Sequence, residues 1–192
     1  MTSTTASEDD RRLWNLRARA RERMVERLRE RELPVADSDA LWIGWVGRLT
    51  TTNQPNVLLR DLARLERLID DPMNAVRFAI AGEPGDAAGH AALAQIVEIA
   101  NNPRFEGRVV YVAGADAGEI LAEGVDVWLG ASTTDELTAT AVRSGAIHVA
   151  MFGDEEHDAR VVYELLERDI VPLFYAWNRE GISLRWLERI RA

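Results

Sequence analysis

The stretch Gly47-Arg48-Leu49-Thr50-Thr51-Thr52-Asn53-Gln54 sets one arginine and three hydroxyls just ahead of a helical pattern. An arginine fork and the free N–H groups of a helix start both favour anions, so a phosphate or a carboxylate could rest there. The candidate anion-binding residues are Arg48, Thr50, Thr51, Thr52 and Asn53. The plainer alternative is that Thr52 and Asn53 cap the helix while Arg48 pairs with a nearby carboxylate. No GxGxxG is present, and the glycine pair Gly44 and Gly47 has the wrong spacing for a dinucleotide loop. The run Asp154-Glu155-Glu156-His157-Asp158 has the residue types of a hard-metal site. Neighbours on a turn or helix start diverge, however, so it reads as a solvated helix start and no metal is expected. Three histidines are present, His90, His148 and His157, and none stands at a recognisable triad spacing from a serine and an acid.

What is missing from the composition excludes more chemistry than these motifs offer. The 192 residues include no cysteine, which removes disulfides, thiolate metal sites and cysteine nucleophiles. Arginine accounts for all 23 basic side chains, so there is no lysine. A Schiff base to pyridoxal phosphate and a P-loop lysine are both excluded. The net charge is −9, which argues against nucleic acid as a partner. The start MTSTTASEDDRR lacks a basic-then-apolar signal pattern. No apolar run approaches the ~20 residues of a membrane span, so a cytoplasmic protein without a membrane partner is expected.

The elements that must hold these residues follow from apolar period. Residues 1–7 are small and polar and are expected to form a disordered tail. Residues 8–32 read as one charged amphipathic helix, with Leu13, Leu16, Ala20, Met24 and Leu28 on its inner face. Residues 11–31 carry nine Arg and three Glu, so a basic helix precedes an acidic body. It is either a solvated face laced with Glu–Arg pairs or an arm that docks on an acidic surface, its own or a partner's. Pro34 to Asp39 forms a linker, and a single domain spans 40–192. Short apolar strands at 41–46, 75–80, 108–112, 125–129 and 146–150 alternate with helices, the first of them at 53–71. A helix from Thr134 to Ser144, capped by Thr133 or Thr134, separates the last two strands. Two helices near 158–168 and 181–191 flank Ile170-Val171-Pro172-Leu173-Phe174-Tyr175. This alternation predicts an α/β fold: a doubly wound, mostly parallel Rossmann-like sheet with helices on both faces and an N-terminal helical arm.

Several segments resemble the C-terminal Rossmann-like domain of bacterial α-glucan (glycogen/maltodextrin) phosphorylases. They are LWIGWVGRL, LLRDLARLERLIDD, VRFAIAGEPGDAAGH, AQIVEIANNPRFEGRVVYV, EGVDVWLGAS and YELLERDIVPLFYAWNREGISLRWLERIRA, in the family's order over most of residues 41–192. The resemblance implies one lobe of a two-lobed glycosyl-transfer enzyme that holds pyridoxal phosphate on a lysine. The departures fall on that chemistry. The family's basic residues of the first loop correspond to Gly47 and Arg48, and its lysine five positions on to Asn53. A lysine of its second loop corresponds to Ala81. Its Gly-Thr-Ser-Gly-Met-Lys type cofactor loop corresponds to Thr138-Ala139-Thr140-Ala141-Val142-Arg143, with a deletion just after, and Glu136 and Thr140 are retained. Glu136, Thr140 and His148 are the further ligand-loop candidates.

The expectation is therefore a non-catalytic, phosphorylase-like domain without a cofactor. It would act by protein–protein interaction, as a homodimer or with another protein, or by binding phosphate or a phosphorylated or sugar ligand. The alternative is a remodelled glycosyl- or phosphoryl-transfer enzyme, or half of a split one. It would use Arg48, the Thr50–Thr52 loop, and His148 or Glu136. The homodimer expectation rests on the apolar residues of the N-terminal helix and on Trp177, Ile182, Leu184, Trp186, Leu187 and Ile190 near the C-terminus.

Overall fold

A computed structural model describes residues 5–35, 39–50, 53, 55–130, 135–151 and 155–191, the side chains of 155–157 aside. Five strands form one wholly parallel sheet: β1 (Leu41–Val46), β2 (Val76–Ala81), β3 (Val109–Val112), β4 (Val127–Gly130) and β5 (Ile147–Ala150). Their order is β3-β2-β1-β4-β5, the doubly wound order, with the reversal between β1 and β4. The strands read as near-continuous apolar runs because helices cover both faces. Ile43, Trp45, Phe78, Ile80 and Leu129 enter the core on one face. Trp42, Ala79, Val110, Val112 and Trp128 enter the core on the other.

The first face is covered by a 3-10 turn (Val57–Arg60), α2 (Leu62–Ile69), α3 (Ala87–Ala100), α6 (Glu155–Leu165), α7 (Val171–Phe174) and α8 (Leu184–Arg191). The second is covered by α1 (Glu8–Glu30), α4 (Ala117–Gly124) and α5 (Glu136–Arg143). The single helix expected over 53–71 is replaced by the 3-10 turn and α2. Pro55 lies within that stretch, and a proline disfavours helical geometry in the residue before it. Asp61 then starts α2 afresh by accepting the Arg64 N–H at 3.0 Å. Tyr163, from α6, donates its hydroxyl to the Leu58 carbonyl at this junction, and burial pushes that phenol's pKa up. Of the segment Ile170–Tyr175, residues up to Phe174 are helical and Tyr175 is the C-cap. A π turn, Leu166–Ile170, links α6 to α7 and accommodates Pro172, which has no N–H to give.

The basic helix docks on its own domain. Its buried residues are Arg17, Arg21, Met24, Val25 and Leu28, while Leu16 remains 53% exposed. This corrects the inner face read from apolar residues alone. The physical reason is that Arg17 and Arg21 have buried partners. Asp126, 1% exposed, accepts the Arg21 guanidinium at 2.7 Å and lies 3.5 Å from that of Arg17. Its other oxygen accepts the Trp42 N–H at 3.0 Å. Arg17 also donates to the carbonyls of Glu123, Gly124 and Val125 at the end of α4 and of Ser144 at the end of α5. One guanidinium thus caps two helix C-termini, where unpaired carbonyls favour a cation. Burial nevertheless lowers the Arg17 pKa, against the pull of Asp126.

At one end of α1, Arg27 and Arg31 reach Asp116. At the other, Ser7 and Asp10 form a capping box and Asp10 accepts Arg191 of α8 at 2.7 Å. Ala6 packs with Ile182 and Leu187. Trp186 and Leu187 of α8 are buried, and Trp177 stays 49% exposed. The faces on which a homodimer was expected are therefore largely covered by the chain itself.

Candidate functional site

In a doubly wound sheet the crevice lies beyond the strand ends, where the order reverses. Here that place is between β1 and β4. A cavity of about 250 Å3 occupies it, lined by Trp45, Gly47, Asn53, Trp128, Asp135 and Thr138 among others. Its floor is a hydrogen-bonded chain. The Trp128 indole donates to the Thr138 hydroxyl at 2.9 Å, and that hydroxyl donates to Asp135 at 2.7 Å. Asp135 also accepts the Thr138 N–H at 2.8 Å, so it is the N-cap of α5. The cap expected at Thr133 or Thr134 is thus one or two residues further on, and both threonines lie outside the described residues.

The sequence-derived anion residues divide between two places. Asn53 borders the crevice, where its side chain donates to the Arg48 carbonyl at 2.8 Å and its N–H to the Thr50 carbonyl at 3.3 Å. It therefore closes its own loop and starts no helix. Arg48 and Thr50 point elsewhere, over Gly85. A methyl group added at Gly85 would come within 2.8 Å of the Arg48 Nε and 2.9 Å of the Thr50 Cγ2. The β1 and β2 loops are clasped there: Leu49 N–H donates to the Glu83 carbonyl, and Gly85 N–H to the Leu49 carbonyl, both at 2.9 Å. Thr51 and Thr52 lie outside the described residues.

The remaining candidates do not converge either. Glu136 is exposed in the first turn of α5. Thr140 bonds back to the Glu136 carbonyl at 2.8 Å and accepts Arg143 at 3.0 Å, both within α5. The stretch 138–143, matched above to a cofactor loop, is thus helix. His148 on β5 lies with a ring nitrogen 3.2 Å from the Gly130 carbonyl, and it borders a different groove. Of the acidic run, Asp154 and the side chains of 155–157 lie outside the described residues, and Asp158 is buried. No group of three or more metal-ligating side chains occurs among the described residues.

One feature of the rim escaped the sequence reading. Asp61, Asp86, Asp116 and Asp135 each stand at the N-cap of a helix, α2, α3, α4 and α5 respectively, that follows a strand. Asp61, Asp86 and Asp135 already accept a first-turn N–H. Asp116 is paired with Arg31, which lowers its carboxyl pKa. The N-termini of α2, α3 and α5 are therefore occupied by carboxylates of the chain, while the Asp116 carboxylate makes no cap bond to α4 and pairs with Arg27 and Arg31. Asp86 and Asp116 directly precede a helical pattern and were legible, whereas Asp61 and Asp135 fall inside the helices read at 53–71 and 134–144.

No family model matches the chain. Curated relatives do. A glycogen phosphorylase of Aquifex aeolicus (strain VF5) is 27% identical over 235 residues, covering 95% of this chain and 33% of its own length. The chain is similar to part of an α-glucan phosphorylase. A glycogen phosphorylase of Mycobacterium bovis and a maltodextrin phosphorylase of Thermococcus litoralis are each 26% identical, covering 93% of the chain and 27% and 26% of their own lengths. This phosphorylase-like domain spans a third or less of the length of the curated relatives it matches. The first match runs over 235 residues against a chain of 192, so that relative carries segments with no counterpart here.

Pyridoxal phosphate, which the resemblance implies, does not fit the residues present. The sequence has no lysine to hold it. Among the described residues the crevice lining contains no cation, and Asp135 sits at the helix start that borders it.

Proposed function

We propose that this phosphorylase-like domain is non-catalytic and acts by binding another protein. The observation that carries this reading is the Asp135 carboxylate, which caps α5 at the crevice where a phosphate would need a cation. Phosphoryl transfer and glycosyl transfer to phosphate need donors and cations aimed at negative charge. Beside the crevice stands the Asp135 carboxylate, Arg27 and Arg31 are engaged by Asp116, and Arg48 of the first loop is turned toward Gly85. What remains is a well-packed scaffold with exposed charged surfaces, and a scaffold carries no activity by itself.

The test is direct. The purified chain is given pyridoxal phosphate, inorganic phosphate and a maltooligosaccharide. No glucose phosphate is expected, and borohydride treatment should label nothing beyond a terminal amine. Turnover by the chain alone would refute the proposal and restore the remodelled enzyme that uses Arg48, Glu136 or His148. Turnover that appears only with a co-purified polypeptide would refute it in favour of a split enzyme.

A further inference from the structure

The sheet ends at β5, which pairs with β4 and with no other strand among the described residues. Ile147 N–H donates to the Asp126 carbonyl and Met151 N–H to the Gly130 carbonyl. In a parallel ladder, alternate residues face the neighbour strand. His148 and Ala150 therefore turn their N–H and C=O groups away from β4, toward the open side. Such an edge is a template for another strand.

That edge opens into a groove of about 440 Å3. Its apolar wall includes Ile147, Leu165 and Leu173. Three arginines also line it: Arg168 from the π turn, and Arg185 and Arg189 from α8. They are exposed, and none has an ion-pair or hydrogen-bond partner among the described residues. Asp169 is the one acid in the lining. The arginines are thus in excess within a chain whose net charge is −9. The π turn carries Arg168 and Asp169 to the groove, and such turns recur at functional sites.

We propose that the β5 edge and this groove take up an extended acidic segment of a partner protein, which adds to the sheet as a sixth strand. Main-chain hydrogen bonds to His148 and Ala150 supply the pairing. The side chains on the segment's groove-facing side, apolar and carboxylate in turn, meet the apolar wall and Arg168, Arg185 and Arg189. A second copy of this chain is a poor occupant, because symmetric edge pairing would set two arginine triads against each other. This inference rests on the reading of the domain as a binding module, but its test uses no turnover, so the two can fail separately.

The probe is a fluorescein-labelled eight-residue peptide, Glu-Thr-Val-Thr repeated twice so that glutamate and valine share one face of the strand, followed by anisotropy. It is expected to bind, and a lysine–valine counterpart is not. The double variant Arg185→Ala/Arg189→Ala should weaken binding about tenfold or more and flatten its salt dependence. Ala150→Pro removes an outward N–H without touching the ladder to β4, and should also weaken binding about tenfold while urea melting is unchanged. Equal binding of the lysine peptide would overturn the proposal. So would peptide affinity that survives Ala150→Pro in a folded protein. Citrate or inorganic phosphate binding as tightly as the peptide would make the groove a small-anion site and would also overturn it.

Discussion

Asp126→Asn should unseat the N-terminal helix at almost no steric cost. Asp126 is 1% exposed and faces two guanidiniums that are themselves nearly buried, those of Arg17 and Arg21. The substitution keeps the side-chain shape and an oxygen for the Trp42 N–H, but it removes the negative charge that pairs with Arg17 and Arg21. Breaking a buried pair by neutralising one partner costs about 3–5 kcal/mol, because the other charge stays desolvated. Domains are stable by about 5–15 kcal/mol, so the loss is a large fraction of the total. For a domain of this size it corresponds to a fall in melting temperature of roughly 6–20 °C. Urea melts followed by tryptophan fluorescence and far-UV circular dichroism would measure it. Salt should change the difference little, since a buried pair is weakly screened. Arg12, exposed on the same helix, serves as the control, and Arg12→Ala should fall within about 0.5 kcal/mol of the parent. If Asp126→Asn also falls within that range, the buried cluster does not hold α1, and the argument from it fails.

Two further outcomes test the same docking from either end. Hydrogen bonds from Ser7, then Arg191, hold the Asp10 carboxyl at about 2, below its ordinary 3.8. A depressed carboxyl stabilises the fold above the ordinary value and loses that contribution as pH falls through the lower one. Asp10→Asn should therefore lower the urea midpoint at pH 7, and the difference from the parent should vanish between about pH 4 and pH 2. A constant difference across that window would exclude the Asp10 link between α1 and α8. At the other contact, a methyl group on Gly124 would lie 2.2 Å from the Met24 Cβ. Gly124→Ala should cost about 1–3 kcal/mol by overpacking α1 against α4, and an unchanged urea melt would mean that the helices do not meet there.

The strands were legible within one or two residues because a parallel strand buried on both faces has to be an apolar run, and Leu41–Val46 or Val76–Ala81 leave no other reading. The register of α1 was not, because hydrophobic periodicity counts an arginine as polar wherever it lies. Arg17 and Arg21 continue the Met24–Leu28 stripe at helical spacing, and that continuation was the available clue. What makes them core residues is the set of carbonyls at the ends of α4 and α5 and the carboxylate of Asp126, groups about a hundred residues away in sequence. No local pattern encodes such a meeting. The same reason explains the site. Arg48 and the hydroxyls after β1 have the right types for an anion, yet the direction of Arg48 is set by the absent side chain at Gly85, on another loop. An aspartate N-cap is a local feature, readable at Asp86 but hidden at Asp61 and Asp135 inside the longer helices that the apolar period suggested. What no local pattern shows is that Asp135, through Thr138 and Trp128, forms the floor of the crevice between β1 and β4, because that meeting is made by the parallel sheet.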